Sequence, residues 1–290
     1  MFTAKPHRLL VPESGSFDPR KASTEPDDDN KPKEWKELLE TEAKALGDLQ
    51  YRLFADGRYG VLLIFQALDA AGKDGTIRHV FAGINPCGLH VASFKQPSRT
   101  ELAHDFLWRT TAALPERGTI AVFNRSYYEE VLVVRVHPEF LAAQRLPERP
   151  SPALWAARHR AIVEHERHLA LQGTVILKFW LNVSKKEQRK RFLERIDDPA
   201  RHWKFRVGDI DESERWDDYL DAYHDCLNAT SRPWAPWYAI PADNKHYMRW
   251  QVANLINAAL GELGVDFPRP SAADEAALRQ ARARLETHEG

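Results

Sequence analysis

The chain has 290 residues, 43% of them hydrophobic, and its 41 Lys+Arg and 42 Asp+Glu leave a net charge of -1. Length and composition are those of a globular protein with one large domain or two small ones, which excludes a disordered or fibrous chain. Because phosphate contacts usually leave a whole domain basic, the near-neutral balance argues against a general nucleic-acid coat protein. We therefore expect no nucleic-acid partner, although charge can still be concentrated locally.

The sequence indicates neither a membrane span nor a secretion signal. No stretch approaches the ~18 apolar residues of a span, and residues 1–17 lack the apolar core of a secretion signal. Cys87 and Cys226 are too far apart to suggest a disulfide framework or a zinc site. We therefore expect a cytoplasmic protein with no membrane partner.

The chain begins with a polar segment, followed by a helix. Residues 1–32 are rich in Pro, Ser, Asp and Lys, which predicts an exposed, flexible leader, and residues 35–54 have helical spacing. Short apolar runs then alternate with helical segments. The apolar runs are 61–66, 89–94, 119–124, 174–183 and 237–242. The helical segments are 76–84, 100–114, 153–172, one that ends at Leu263, and a charged surface helix in the tail from residue 272.

This alternation is typical of a parallel sheet with helices on both faces, so we predict an α/β fold with about five parallel strands. Ligands bind such a sheet beyond the carboxyl ends of its strands. The candidate segments are therefore 67–75, 95–99, 124–129, 183–206 and 242–249.

The segment after the first strand, QALDAAGKDGT, is a degenerate match to the phosphate-binding motif G-x-x-x-x-G-K-[ST]. Ala67 replaces the first Gly, and Asp74 replaces the Ser or Thr. A buried strand before it and a helix after it would put a phosphate at the helix N-terminus. Asp69 and Asp74 would repel a bare phosphate. With Mg²⁺ between these carboxylates and the phosphate oxygens, however, they become suitable metal ligands. The alternative is a solvated turn in which Asp74 complements the helix dipole.

The third strand ends in FNRSYYEE. Arg125 suits a phosphoryl group, because its planar fork matches phosphate oxygens in bidentate fashion. Asn124 precedes it, and Glu129 or Glu130 can face the same cleft. The alternative is that Arg125 only pairs with Asp69 or Glu129.

The segment after the fourth strand has nine cationic side chains among residues 185–206. Arg191 and Arg195 share a helix face at spacing i, i+4. Some of these cations can pair with Glu187 and other acidic side chains on an ordinary solvent-exposed helix face, which explains part of the segment without a ligand. Its position, however, is that of the mobile lid of a P-loop kinase, and so basic a lid indicates a polyanionic ligand.

Together, QALDAAGKDGTI, FKQPS, FNRSYYEEVLVVRVHPE, EQRKRFLERIDDPARHWKF and PWYAIPADNK resemble the family-2 polyphosphate kinases, from about Trp35 to Leu263. The resemblance implies a three-layer α/β/α P-loop kinase-like fold with a helical lid. It also implies Mg²⁺-dependent transfer of a terminal phosphoryl group between inorganic polyphosphate and a nucleotide. The strand-end motif, with Asn124 in place of Asp, looks like that of the subgroup that phosphorylates nucleoside monophosphates as well as diphosphates. We expect adenine nucleotides as partners, with guanine nucleotides as the alternative. The family commonly assembles as dimers or tetramers, so we expect a homo-oligomer.

The motifs and the resemblance together assign the site residues. The catalytic ones are Asp69, Lys73 and Arg125, the Mg²⁺ ligands are Asp69 and Asp74, and the nucleotide side has Asn124 and Glu129. The phosphate- and polyphosphate-binding residues are Ala70, Ala71, Gly72, Lys73, Asp74, Gly75, Arg125, Arg191, Arg195 and Lys204. The predicted segments are a leader and helix over 1–57, a catalytic domain over 58–264 with its lid at about 185–212, and a helical tail over 265–290.

Two other functions fit part of the pattern. An ATP-dependent nucleoside monophosphate kinase shares the loop and the lid but does not need nine cations in the lid segment. A non-catalytic polyanion-binding protein would hold phosphate without Mg²⁺, which leaves Asp69 and Asp74 without a purpose.

Overall fold

The computed structural model describes residues 1–28, 30–147 and 151–287. Its strands form one sheet in the order β2-β3-β1-β4-β5, and every neighbouring pair is parallel. The strands are β1 Gly60–Gln66, β2 Leu89–Ser93, β3 Ile120–Asn124, β4 Thr174–Asn182 and β5 Trp237–Pro241. The predicted α/β fold with five parallel strands is confirmed.

Eleven α-helices lie in the described part of the chain. They are α1 Pro32–Asp56, α2 Lys73–Val80, α3 Trp108–Thr111, α4 Val133–Val136, α5 Leu141–Gln144, α6 Ala153–Leu171, α7 Lys185–Asp197, α8 Gly208–Glu214, α9 Trp216–Thr230, α10 Lys245–Gly261 and α11 Ala272–Thr287. The predicted surface helix in the tail is α11, in which no residue is buried.

Helices cover both faces of the sheet. Successive strand residues point to opposite faces, and β1 is buried along its whole length. Leu63 therefore packs with Leu53 of α1 and Ile256 of α10, whereas Ile64 packs with Ile162 of α6 on the other face. These two apolar cores make the three layers.

The exposed leader that we predicted over residues 1–32 was wrong for its first part. The amide of Val11 donates to the carbonyl of Trp237 at 2.9 Å, and the amide of Ala239 donates to the carbonyl of Leu9 at 2.8 Å. Val11 is buried. The segment satisfies backbone groups of β5 that an edge strand would otherwise leave unpaired, which no local composition signal reveals.

The continuous helix predicted over 100–114 was also wrong. A 3-10 turn over Glu101–Ala103 and the short α3 take its place. The Asp105 side chain accepts a hydrogen bond from the amide of Leu107 at 2.9 Å, a local turn that competes with helix hydrogen bonding. Among the described residues no helix is long and apolar enough to cross a membrane.

Candidate active site

The segment between β1 and α2, residues 67–72, is the loop that we predict to bind phosphate. Gly72 has φ +108°, and a Cβ there would lie 3.1 Å from Met248 Cε, so only glycine fits without strain. Ala70 also lies in the left-handed region, at φ +60°. Ala67 does not, so alanine is tolerated where the motif has its first glycine.

Lys73 opens α2 with its side chain folded back into the loop. Its Nζ donates to the carbonyl oxygens of Ala67 at 2.7 Å and Leu68 at 3.4 Å. Burial, assisted by the positive charge of Arg125, lowers the pKa of Lys73 to about 8, against the opposing effect of Asp69. A partly desolvated ammonium at a helix N-terminus is suited to bind phosphate oxygens.

Arg125 directly follows β3 at the carboxyl end of the sheet, where it lines a small cavity with Asp69 and Glu129. Its Nη2 donates to Asp69 Oδ1 at 2.9 Å and its Nη1 to Glu129 Oε2 at 3.0 Å. The pairing that we considered as an alternative role is therefore present, yet the side chain stays 37% exposed. Glu129, followed by Asp69, raises the pKa of Arg125. Its φ of +64° is unusual for a non-glycine residue, and such strained backbone is concentrated at functional sites.

The side chain of Asp74 contacts both the end of β3 and the lid segment. Its Oδ1 accepts a hydrogen bond from Asn124 Nδ2 at 2.8 Å, and its Oδ2 lies 3.7 Å from Lys204 Nζ. The three residues come from separate parts of the chain and meet at the mouth of the phosphate loop. Asn124, which we predict on the nucleotide side, therefore lies next to Asp74 and Lys204, which we predict to bind phosphate.

Arg191 has a different environment from that of a residue that contacts phosphate. Its Nη1 donates to the carbonyls of Ala70 and Ala71 at 3.1 and 2.8 Å. Its Nη2 donates to Ala242 and Asp243 at 2.7 and 3.0 Å. The Nε pairs with Glu187, so every nitrogen of this buried guanidinium has a protein partner. This geometry supports a positioning role for Arg191 in place of the predicted direct phosphate contact.

The remaining lid cations are more exposed. Arg195 Nη1 lies 3.8 Å from Asp209 Oδ2, a loose pair that a phosphate can displace. Burial, and next the charge of Asp69, raises the pKa of Asp209. Further lid pairs are Lys190–Glu187, Arg201–Asp198 and Arg201–Glu194.

A network without solvent access supports the Arg125 turn from below. Lys178 Nζ donates to Glu166 Oε2 at 2.6 Å and to the carbonyl of Thr230 at 2.8 Å. The hydroxyls of Tyr127 and Tyr128 donate to Glu166 Oε1 at 3.0 and 2.8 Å. Both side chains of the ion pair are 0% exposed. The two tyrosines follow the Arg125–Ser126 pair directly, so the network anchors the turn that carries the cleft arginine.

Comparison with known proteins identifies the family of this chain. A family model described as Polyphosphate kinase 2 (PPK2) matches residues 29–266. The chain belongs to the PPK2 family. A protein named ADP-polyphosphate phosphotransferase from Rhodopseudomonas palustris is 54% identical, over 86% of this chain and 87% of the relative.

Two further comparisons support the membership. A protein named AMP/ADP-polyphosphate phosphotransferase from Meiothermus ruber is 46% identical, over 82% of this chain and 86% of the relative. The crystal structure of polyphosphate kinase 2 from Arthrobacter aurescens superposes with a TM-score of 0.86 at 39% identity, over 97% of this chain and 98% of that one. The α/β fold and the resemblance stated from the motifs are confirmed.

In this PPK2 member, residues that sequence reasoning did not assign also line the candidate site. A small cavity of about 40 Å³ beside Asp69 and Arg125 is lined by Gln188 of α7, Asp209 of α8 and Tyr219 of α9. Gln188 Nε2 donates to the carbonyl of Asp69 at 3.0 Å. Gln188 lies three residues before Arg191, a spacing that puts both side chains on one helix face. The sequence therefore contained a signal for Gln188. Asp209 and Tyr219 lie in segments without a motif, so only the tertiary structure identifies them.

The oxygen donors in this PPK2 cleft fit Mg²⁺ better than a softer metal. Mg²⁺ typically takes one or two carboxylates and completes its shell with water and substrate phosphates. Asp69 and Asp74 each have a partner on Oδ1, which leaves Oδ2 of Asp69 and the loosely paired Oδ2 of Asp74. Within the described residues no group of three or more His, Cys, Asp or Glu is placed to hold a metal ion by itself.

Proposed function

We propose that this enzyme transfers the terminal phosphoryl group of inorganic polyphosphate to ADP, forming ATP, and also to AMP. The observation that carries the proposal is the meeting of Lys73 and Arg125 with a cationic lid at one edge of the sheet. The relative from R. palustris is named for ADP, and the relative from M. ruber is named for both AMP and ADP; these names support the proposal.

The reaction needs positioning and charge neutralisation more than proton transfer. The terminal phosphate oxygen of a nucleotide is already ionised at neutral pH, so it attacks in line without a strong general base. Lys73 and Arg125 neutralise the transferring group, and amide groups of the phosphate loop orient it. No covalent enzyme intermediate is required.

The lid cations and Mg²⁺ would neutralise the remaining negative charge of the phosphates. Arg195 and Lys204 contact the polyphosphate chain, with Ala70, Ala71 and Gly75 close to its terminal phosphate. Asp69, and Asp74 with it, would hold Mg²⁺, which when bound neutralises phosphate oxygens. Asn124 and Glu129 face the nucleotide. We assign Arg191 to holding the loop, and we expect a homodimer or tetramer in solution.

One assay tests the proposal against its two alternatives. Purified protein is incubated with Mg²⁺ and ADP or AMP, with and without polyphosphate, and ATP and ADP are quantified. We expect product from polyphosphate alone as donor. Conversion of AMP that requires ATP instead would establish a nucleoside monophosphate kinase, and binding of polyphosphate without turnover would establish a polyanion-binding protein.

A further inference from the structure

A buried histidine connects the lid to the segment that follows β3. His137, directly after α4, is 8% exposed, and its Nε2 lies 2.8 Å from Glu212 Oε1 of α8. Its other ring nitrogen, Nδ1, lies 3.1 Å from Glu139 Oε1. Glu139 is a near neighbour in the chain, whereas Glu212 is 75 positions away. The ring therefore joins α8 to a distant part of the protein.

Both contacts of His137 are hydrogen bonds only when the ring is protonated. An ionised carboxylate accepts hydrogen bonds and does not donate them, whereas a neutral imidazole has a single N–H. Two ring nitrogens that face two carboxylates therefore require the imidazolium ion. When the ring loses its proton, one contact loses its donor and the contact with Glu212 loses its charge, which weakens it. The other charged group here, Arg215, donates to the carbonyl of Val136 at 3.1 Å and keeps its charge throughout.

The contacts of Glu212 attach α8 to the rest of the protein. All seven residues of α8 are among those that the structure describes, and none of them is buried. Ile210, the large apolar residue of this helix, is 44% exposed. Besides His137, the hydroxyl of Tyr219 donates to Glu212 Oε2 at 2.6 Å. Burial and this hydrogen bond raise the pKa of Tyr219, so of the two partners only the histidine belongs to a residue type that titrates near neutral pH.

The position of α8 affects the candidate site because α8 forms part of its wall. Asp209 and Glu212 line the small cavity that also contains Asp69 and Arg125. Asp209 is in turn the partner of the lid cation Arg195, with 3.8 Å between Oδ2 and Nη1. A displacement of α8 would therefore move a wall of the cavity and the partner of Arg195 together.

We propose that His137 and Glu212 are positioning residues, which hold α8 against the site while His137 is protonated and loosen it when the ring loses its proton. Both residues act through α8 and not on the transferring phosphate itself. The kinetic consequence rests on the proposed function, in which Arg195 contacts polyphosphate. The affinity for polyphosphate then falls as His137 loses its proton, in addition to any effect of Lys73.

Hydrogen exchange tests the position of α8 without turnover. Amide exchange in residues 205–215 of the full chain is followed by mass spectrometry at pH 6 and pH 8 and corrected for its intrinsic pH dependence. We expect wild-type protection to fall about fivefold at pH 8, whereas His137→Gln, which has no titrating ring, should be weakly protected at both. His224→Gln on α9 is the matched control, because His224 also faces a carboxylate, that of Asp225 at 3.1 Å. Equal protection of residues 205–215 in the wild type and His137→Gln overturns the proposal.

Kinetics separate this role from a purely structural one. The KM for polyphosphate is measured from pH 5.5 to 8 in the wild type, His137→Gln and Glu212→Gln. We expect both variants to start at a higher KM and to lack about a fivefold part of the wild-type rise. Lys73 is present in all three proteins, so its titration cancels in the comparison, and a merely destabilised variant would lose activity at every pH. The same pH dependence in variants and wild type overturns the proposal, whereas absence of turnover in all three contradicts the proposed function and leaves the exchange result standing.

Discussion

Nη1 of Arg191 donates to the carbonyl oxygen of Ala71 at 2.8 Å. In a planar trans peptide the carbonyl and the following N–H point in opposite directions. The amide of Gly72 therefore points away from Arg191, to the side where we place the phosphate. A helix of the lid thus holds the loop by its carbonyls and leaves the Gly72 amide directed away from Arg191.

Arg191→Met should impair both stability and activity. The change leaves four carbonyls without their donor and Glu187 without its partner, which for a buried ion pair costs about 3–5 kcal/mol. Urea unfolding measures the stability, and steady-state kinetics measure the activity. Arg195→Met, on the same helix but in a loose pair, should raise only the KM for polyphosphate. Equal stabilities of the two variants would contradict the positioning role.

Lys73→Ala should remove most of the turnover. Loss of one positioned group that stabilises transition-state charge costs about 10²–10³ in kcat. Lys204→Ala is the matched control: its ammonium lies farther out, 3.7 Å from Asp74 and 38% exposed, so we expect mainly a higher KM for polyphosphate. Near-normal kcat in Lys73→Ala would show that this lysine is not part of the transfer site.

The affinity for polyphosphate should fall as pH rises through about 8. Burial, then Arg125, lowers the pKa of Lys73 from 10.5 to about 8, so its charge is present below that pH and lost above it. Between those two values the unfolded chain binds more protons than the folded one, so this group makes folding stability rise with pH. The test is the KM for polyphosphate from pH 6.5 to 9.5. Lys73→Arg keeps its charge and should lack the alkaline rise.

Removing only Lys178 from the buried Lys178–Glu166 pair should destabilise the protein more than removing the charges of both residues. Lys178→Met alone leaves a buried carboxylate unpaired, which costs about 3–5 kcal/mol. Adding Glu166→Gln removes that charge while keeping an oxygen acceptor for Tyr127 and Tyr128, so we expect most of the loss to be recovered. Urea unfolding of the three variants decides this. Equal losses in the single and the double variant would show that the charge of Glu166 is not what destabilises Lys178→Met.

The Mg²⁺ concentration that the reaction requires should change when a carboxylate of the loop is replaced. Asp69→Asn should raise the Mg²⁺ concentration that gives half-maximal rate, because an amide oxygen is a weaker ligand than a carboxylate. Asp209→Asn is a control at the same small cavity, outside the proposed ligand pair. An unchanged Mg²⁺ requirement in Asp69→Asn, with activity retained, would rule out Asp69 as a ligand.

The strands and the phosphate loop could be predicted because their signals are local. An apolar run such as 61–66 followed by Gly72 and Lys73 carries the strand, the turn and the cation within a dozen positions. The same holds for Arg125 at the end of β3. Spacing within one helix also indicated that Arg191 and Arg195 share a face, but it said nothing about what that face contacts.

Only the tertiary structure decided which distant residues contact each other. Arg191 and Ala71 are 120 residues apart, Arg125 and Asp69 are 56 apart, and the leader reaches β5 across most of the chain. Composition and periodicity establish which residues are apolar, charged or turn-forming, because those properties belong to each side chain and its near neighbours. Whether a cation meets a phosphate, a carboxylate or a backbone carbonyl depends on how distant segments pack, and a pattern within one segment holds no record of that.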